Sequence, residues 1–395
     1  MFFYIALICL LIPFYLLDVT LGAKSKTQGF SIIFAFIYFV FIAGLRDSTG
    51  YDWFVYRTIF EGVNTASSLS EALEIGYQNG SEVGLTVLIY LLTVLGTGFW
   101  FLQVLVSLLN VYSFIRLNNY LGGGAVKGLL IYGCWLFLVL QMGVLRMSIS
   151  LSFLSLGVIY LLERKRVKLA LCVLLACLFH VFSMMLSVVM IAASLNIPKK
   201  IIALVLLVLS GLYLAGVNII DVVLSPLTPY MPNFIAVKVD LYLKIGDLYQ
   251  RSASEFLYKF FMGGLFGFVL FNIDWNNRVE RYLLNLSFIY IVFLLLFWKY
   301  PIFHDRLKYL ALMPFFYLVF MVIDKKGVFD RCVYGMAFLC MSLAVYLHEV
   351  SGEGFYPYTP YFNVYERWLG GEDNDGEART LKYYRDFSSD MGLGG

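Results

Sequence analysis

Charge is what this chain has least of. Only 14% of its 395 residues are Asp, Glu, Lys or Arg, where a water-soluble domain carries about 25%, so a soluble fold is excluded at the outset. Histidine is rarer still, with three in the whole chain. Its apolar runs are continuous rather than alternating, which excludes an outer-membrane barrel. A net charge of +3 gives nucleic acid nothing to bind. The six cysteines, Cys9, Cys134, Cys172, Cys177, Cys332 and Cys340, all sit within apolar runs. They read as small packing or lipid-facing residues rather than as a disulfide frame or metal set. The first residues have neither a basic n-region nor a small-residue cleavage site, so their apolar run is expected to stay as a first helix. No phosphate-binding glycine loop, nucleophile elbow or zinc signature occurs. Gly122 to Gly124 has no strand before it to make a nucleotide site.

What the chain has is apolar length: 61% of it is hydrophobic. One bilayer crossing takes about 20 residues, and about 12 or 13 runs of that kind recur. They fall at 2–18, 30–45, 83–97, 99–115, 126–142, 146–162, 167–180, 181–195, 200–217, 256–272, 282–298, 308–323 and 331–347. The expected fold is therefore all-α, a polytopic integral membrane protein. Residues 1–347 form its transmembrane domain, with polar loops 46–82 and 218–255, and 348–395 a polar, flexible C-terminal tail.

Basic side chains are held on the cytoplasmic side during insertion. The cluster Arg164, Lys165, Arg166 and Lys168, with Lys24 and Lys26, Lys199 and Lys200, and Lys325 and Lys326, is placed inside. The N-terminus, loops 46–82 and 218–255, segment 299–308 and the tail then lie outside. Five hydrophobic segments separate Lys26 from Arg164, whereas two loops on one side need an even number of crossings. One segment is therefore re-entrant or does not span. The expected exception is 126–142, which runs into Gln141, Gly143 and Arg146, because non-helical backbone is tolerated at depth only where protein or water satisfies it.

In a bilayer protein the informative residues are ionisable groups near membrane depth. The densest group follows the second helix: Gly44, Leu45, Arg46, Asp47, Gly50, Asp52, Tyr56 and Phe60. It either closes a helix end as an Arg46 ion pair with Asp47 or Asp52, or binds an anion and a sugar hydroxyl. Arg146 stands alone between two apolar runs, and either snorkels to the headgroups or points into a polar cavity. His180 marks the outer turn of a hairpin between two basic loops, as a satisfied core histidine or as a base near neutral pH. Lys299, His304, Asp305, Arg306, Lys308 and Tyr309 break the charge bias of their side. That is either an anion site or an error of topology. Tyr51, Trp53, Tyr56, Tyr356, Tyr358 and Tyr361 anchor helices at headgroup level or stack on sugars.

Gly44-Leu45-Arg46-Asp47, with Gly50, Asp52 and Tyr56 behind it, is similar to the motif after the second helix in the EpsG/Wzy-type family of bacterial polysaccharide polymerases. Further matches keep that family's order: Glu82 with Gly84 before the third helix, Arg146 opening a helix, Phe179-His180, Arg306 with Tyr309, and Pro360-Tyr361 near the end. The resemblance spans about residues 1 to 365. The chain departs from the pattern after Arg146, where Met147-Ser148-Ile149-Ser150 stand in place of glutamine and alanine, and at Ser183, one place later than expected.

The resemblance implies a glycosyltransferase-C-like enzyme of the bacterial inner membrane, its site facing the periplasm or cell exterior. Such an enzyme moves a growing glycan from undecaprenyl diphosphate to the non-reducing end of a new lipid-linked repeat. Membrane lipid and a chain-length regulator are its further partners, and it needs no metal, cofactor or nucleotide sugar. The lipid diphosphate is already a good leaving group, so arginines in a partly dry cavity suit it: Arg146 and Arg306, then Arg46, with Tyr56, Lys308 and Tyr309 beside them. His180, Asp52 and Asp47 are the candidates to accept the sugar proton, His180 first, and direct displacement inverts the anomeric centre. The competing readings are a flippase for the same lipid-linked sugar and an O-antigen ligase.

Overall fold

The computed structural model describes residues 2–21, 27–122, 125–230, 243, 252–359, 361–365, 378, 380–382 and 385. Most of loop 218–255, Lys24, Lys26, Gly123, Gly124, Pro360 and nearly all of the tail from Glu366 lie outside them. The chain is helical almost throughout, and folds as two units. One is built from residues up to Ser187 together with the helix and segment that follow Ile323; the other is Val188–Val322.

In the first unit, α1 (Phe2–Cys9) and α2 (Ile12–Leu21) precede α3 (Thr27–Gly44) and the two-residue strand β1 (Arg46–Asp47). Three short helices follow, α4 (Trp53–Asn64), α5 (Leu69–Gln78) and α6 (Val83–Val94). The long α7 (Phe99–Leu121) leads to α8 (Ala125–Trp135) and a π-helical stretch, Phe137–Gly143, then α9 (Leu145–Leu162) and α10 (Arg166–Phe179). α11 (Ser183–Ala192) leads into the second unit, which holds α12 (Lys199–Leu214), α13 (Ile219–Leu227), α14 (Ala253–Asn272), α15 (Arg278–Leu296) and most of α16 (Pro301–Asp324). The chain returns to the first unit through α17 (Val328–Ser351) and β2 (Phe362–Asn363).

Among the described residues, six helices besides α3 are long and apolar enough to cross a bilayer, seven if α8 and the π-helical stretch form one bent span. This is a multi-pass membrane protein. The bend expected in 126–142 is present, at 71°. Contacts at its two ends nevertheless make it a broken crossing rather than a re-entrant loop. At one end Lys127 pairs with Asp324 at 2.7 Å; at the other the Gln141 carbonyl accepts from Arg46 at 3.2 Å.

The segment that does not cross is 83–97, and here the expectation is corrected. α6 has 12 residues, about 18 Å of helix against a core of about 30 Å. Its apolar face, Leu85, Ile89 and Leu92, shares one buried cluster with Ile59 and Val63 of α4, Ala72 of α5, Leu102 and Val106 near the start of α7, and Leu145 and Ile149 in the opening turns of α9. Both its ends lie at one end of the bundle: Glu82 beside Arg146, and Phe99, just past its other end, against Trp53 at 5.4 Å. The crossings from α3 to Arg164 are then α3, α7, the bent α8 and α9, an even number. Tyr4, Arg46, Gln103 and Tyr358 share the end that holds loop 46–82, through Tyr4 Oη on the Tyr358 carbonyl at 2.8 Å and Gln103 Nε2 on the Arg46 carbonyl at 3.3 Å.

Residues 348–359 and 361–365, expected in the tail, pack within the first unit. α17 runs to Ser351, and β2 pairs antiparallel with β1, Arg46 opposite Asn363 and Asp47 opposite Phe362. The Gly50 amide donates to the Pro357 carbonyl at 3.0 Å, and Tyr361 Oη to the Ile42 carbonyl at 3.0 Å. The first and last motifs are thus one local structure.

Candidate active site

Two glycines explain how the Gly44–Tyr56 motif turns. At Gly44 a Cβ would sit 2.9 Å from Val104 Cα, so α3 and α7 cross there in near-backbone contact. Gly50 has φ +110° and faces the Met142 carbonyl, a place where any side chain would be strained and would clash. The turn sends Asp52 to the start of α4. Its carboxylate makes no cap bond to that helix and instead accepts from Tyr56 Oη at 3.4 Å.

Arg46 is not paired with either aspartate in the way its spacing suggested. It is 2% exposed, and its Nη1 donates to the carbonyls of Ala43 and Gln141 at 2.9 and 3.2 Å. Burial pushes its pKa down to about 10, so it still carries its charge near neutral pH. Arg46 ties the end of α3 to the bent segment.

Arg146, second residue of α9, is held by side-chain and main-chain partners at a partly exposed place. Its Nη1 donates to the Gly80 carbonyl at 2.6 Å and to Glu82 Oε2 at 2.7 Å, and its guanidinium lies over the Tyr56 ring at 5.8 Å. Its backbone amide donates to Tyr56 Oη at 3.4 Å. Nη1 makes both side-chain hydrogen bonds; Nε has no partner among the described residues. The head is 25% exposed, neither snorkelled away nor sealed in. Burial raises the Tyr56 pKa, so its hydroxyl stays protonated and able to donate.

His180 marks the turn between α10 and α11, as the hairpin reading expected. Nδ1 accepts from the Phe182 amide at 3.1 Å, so the neutral ring carries its proton on Nε2. Two contacts hold this turn to the arginine. A Cβ on Gly84 would sit 2.7 Å from the Leu178 carbonyl oxygen, which brings the His180 turn against the start of α6. Ser183 hydrogen-bonds Ser150, one turn along α9 from Arg146. The two stretches that depart from the family pattern are therefore joined to each other.

Asp47, Asp52, Tyr56, Arg146 and His180 thus gather at one end of the first unit, with Arg46 as their support. Glu82, absent from the expected site residues, is the carboxylate that holds Arg146. Its place just before an apolar run, in a chain so poor in charge, was the available signal. Arg306, Lys308 and Tyr309 belong to the second unit, half-buried at the start of α16. There Lys299 pairs with Asp221 at 2.6 Å, and Asp305 lies 3.2 Å from His304 and 4.0 Å from Lys308. Much of the basic charge that broke the bias is therefore matched by carboxylates. Trp53, Tyr56 and Tyr358 are buried, and serve packing first.

A polytopic helical membrane protein with a charged cluster at one end of its bundle is the class these features define. The chain belongs to the EpsG family, whose model matches residues 29–360, a Wzy-type family of polysaccharide polymerases. Neither a curated protein nor a solved structure matches it.

Proposed function

We propose that this chain is an inner-membrane glycosyltransferase that joins undecaprenyl-diphosphate-linked oligosaccharide repeats on the periplasmic or outer face. The observation that carries this reading is Arg146, held through Nη1 by Glu82 and Gly80 while its side chain stays 25% exposed. Arginine offers a diphosphate two parallel donors, and a partly dry setting strengthens them. Charge on the departing lipid diphosphate is then met by a donor already in place. Arg306 and Lys308 are the further basic candidates.

The acceptor hydroxyl attacks the anomeric carbon, the bond to the diphosphate oxygen breaks with inversion, and the hydroxyl proton passes to a base. Asp52 is assigned that base, its carboxylate uncommitted to helix capping. His180 is assigned instead as a hydrogen-bond donor through Nε2, since Nδ1 is engaged by Phe182. Asp47 orients the acceptor sugar.

The test is chain extension by the purified full-length protein in lipid nanodiscs, supplied with undecaprenyl-diphosphate-linked repeats. A ladder of glycan lengths is expected from the wild type and none from Arg146→Ala or Asp52→Asn, with His180→Gln, which keeps an N–H donor, still extending chains. Normal ladders from Arg146→Ala overturn the reading. So does a wild type that carries the lipid-linked sugar across a bilayer without lengthening it, which identifies a flippase, or that transfers finished polymer only to lipid A, which identifies a ligase.

A further inference from the structure

α4 presents two adjoining stripes. Asp52, Tyr56, Ile59 and Val63 face α6 and α9, while Trp53, Arg57, Phe60 and Glu61, at helical spacing i, i+4, i+7 and i+8, line a cavity of about 300 Å³ with Asp47, Phe99, Trp100 and Gln103. Of this lining the reaction above uses Asp47 alone. Its walls are rings: Trp53 meets Phe99 edge-on at 5.4 Å, and Phe60 meets Phe99 at 5.7 Å. Arg57 is held in place, its Nε on Glu61 Oε1 at 2.7 Å and its guanidinium over Trp53 at 5.3 Å.

Two polar atoms of the lining are buried without partners among the described residues, Trp53 Nε1 and Gln103 Oε1, each on a residue 2% exposed. Buried indole N–H and amide oxygen groups nearly always find a hydrogen bond, because leaving one unmade costs about 1–3 kcal/mol. One is a donor and the other an acceptor, the two functions that a sugar hydroxyl carries. Gln103 is fixed in place because its Nε2 donates to the Arg46 carbonyl at 3.3 Å.

We infer that this cavity is a carbohydrate subsite that takes one uncharged pyranose unit of the glycan. A pyranose has an apolar C–H face for the rings and a rim of hydroxyls for Trp53 Nε1, Gln103 Oε1, Asp47 and Glu61. The volume sits at the low end of ligand pockets, about 300–1,000 Å³, which suits a single sugar ring. The carboxylates of Asp47 and Glu61 in the lining suit hydroxyl donors better than an anionic ligand. The subsite rests on the polymerase reading for its place in the reaction, though not for its binding chemistry.

Saturation-transfer NMR on the full-length protein in nanodiscs tests it, with the methyl glycosides of glucose, galactose, N-acetylglucosamine and N-acetylgalactosamine as probes and methyl glucuronide as the anionic control. At least one neutral glycoside is expected to bind saturably. Trp53→Phe, which keeps an aromatic face and loses the N–H, is expected to weaken it about tenfold, the loss of one buried hydrogen bond. Trp100→Ala, at the exposed rim, weakens it without touching the core, and Arg146→Ala keeps it while losing chain extension. The inference is overturned if no neutral glycoside binds, if only the glucuronide does, or if Trp53→Phe and Trp100→Ala both bind as the wild type does. Trp53-dependent binding by a protein that builds no ladder upholds the sugar site and overturns the polymerase reading instead.

Discussion

The two arginines that frame the site differ in what surrounds them, and that difference sets what each does. Arg46 spends Nη1 on two main-chain carbonyls in a fully buried place. Removing it leaves acceptors unpaired at the joint of α3 and the bent segment, at a cost of about 1–3 kcal/mol for each. Arg146 lies at a partly exposed head whose partners, Glu82 and Gly80, are themselves at the protein's rim. Arg46→Ala is therefore expected to lower the melting midpoint in detergent and the yield of folded protein. Arg146→Lys is expected to leave both unchanged while chain extension falls, because an ammonium cannot offer parallel donors to a diphosphate. Thermal melts and extension rates on the same preparations check this; equal melting losses for the two variants would refute the division of roles.

At the scale of elements, the site depends on how closely α6 approaches the α10–α11 turn. Gly84 faces the Leu178 backbone, so Gly84→Ala must push the His180 turn away from Glu82 and Arg146. A displacement of about 1 Å in a reacting constellation costs on the order of 10²-fold in rate. Gly84→Ala is thus expected to fold and insert, yet to lose chain extension by that order, and a rate within threefold of wild type would show that the His180 turn has no part in the site. Elements of this kind were legible in the sequence where hydrophobic length was long and flanked by charge: α7, α9, α15 and the hairpin broken at His180 all fall where apolar runs predicted. The site's ionisable residues were legible for a related reason, since a chain with so few charges seldom carries one next to an apolar run without a use. What was not legible was contact between distant segments. Nothing local to Tyr361 indicates that its hydroxyl reaches the Ile42 carbonyl, and the spacing of Arg46 favours a carboxylate over the Gln141 carbonyl that it finds. The α4 stripe could be counted from Trp53 to Glu61, but the Phe99 and Gln103 that complete the cavity come from another helix.

Across the whole chain, the correction at α6 turns on length against hydropathy. Residues 83–97 are apolar enough to pass for a crossing, yet part of that apolar surface is used against α4 and α5, where Ile59, Val63 and Ala72 bury it. Burial of one such aliphatic side chain contributes about 1.5–3 kcal/mol, enough to hold a short helix on a protein surface. The basic cluster at Arg164 to Lys168 then sits three crossings beyond α3, at the end of α9 opposite Arg146, in keeping with the charge bias. Labelling with a membrane-impermeant thiol reagent separates the two topologies, after the native cysteines, all unbridged, are replaced. Leu95, 73% exposed just beyond α6, is expected as Leu95→Cys to react from the same side as Ser67→Cys, and Lys165→Cys from the other. Were Leu95→Cys to react with Lys165→Cys instead, α6 would cross the bilayer. Glu82 and Phe99 would then lie at opposite faces, and the contacts that hold Arg146 and close the sugar cavity from one side could not coexist.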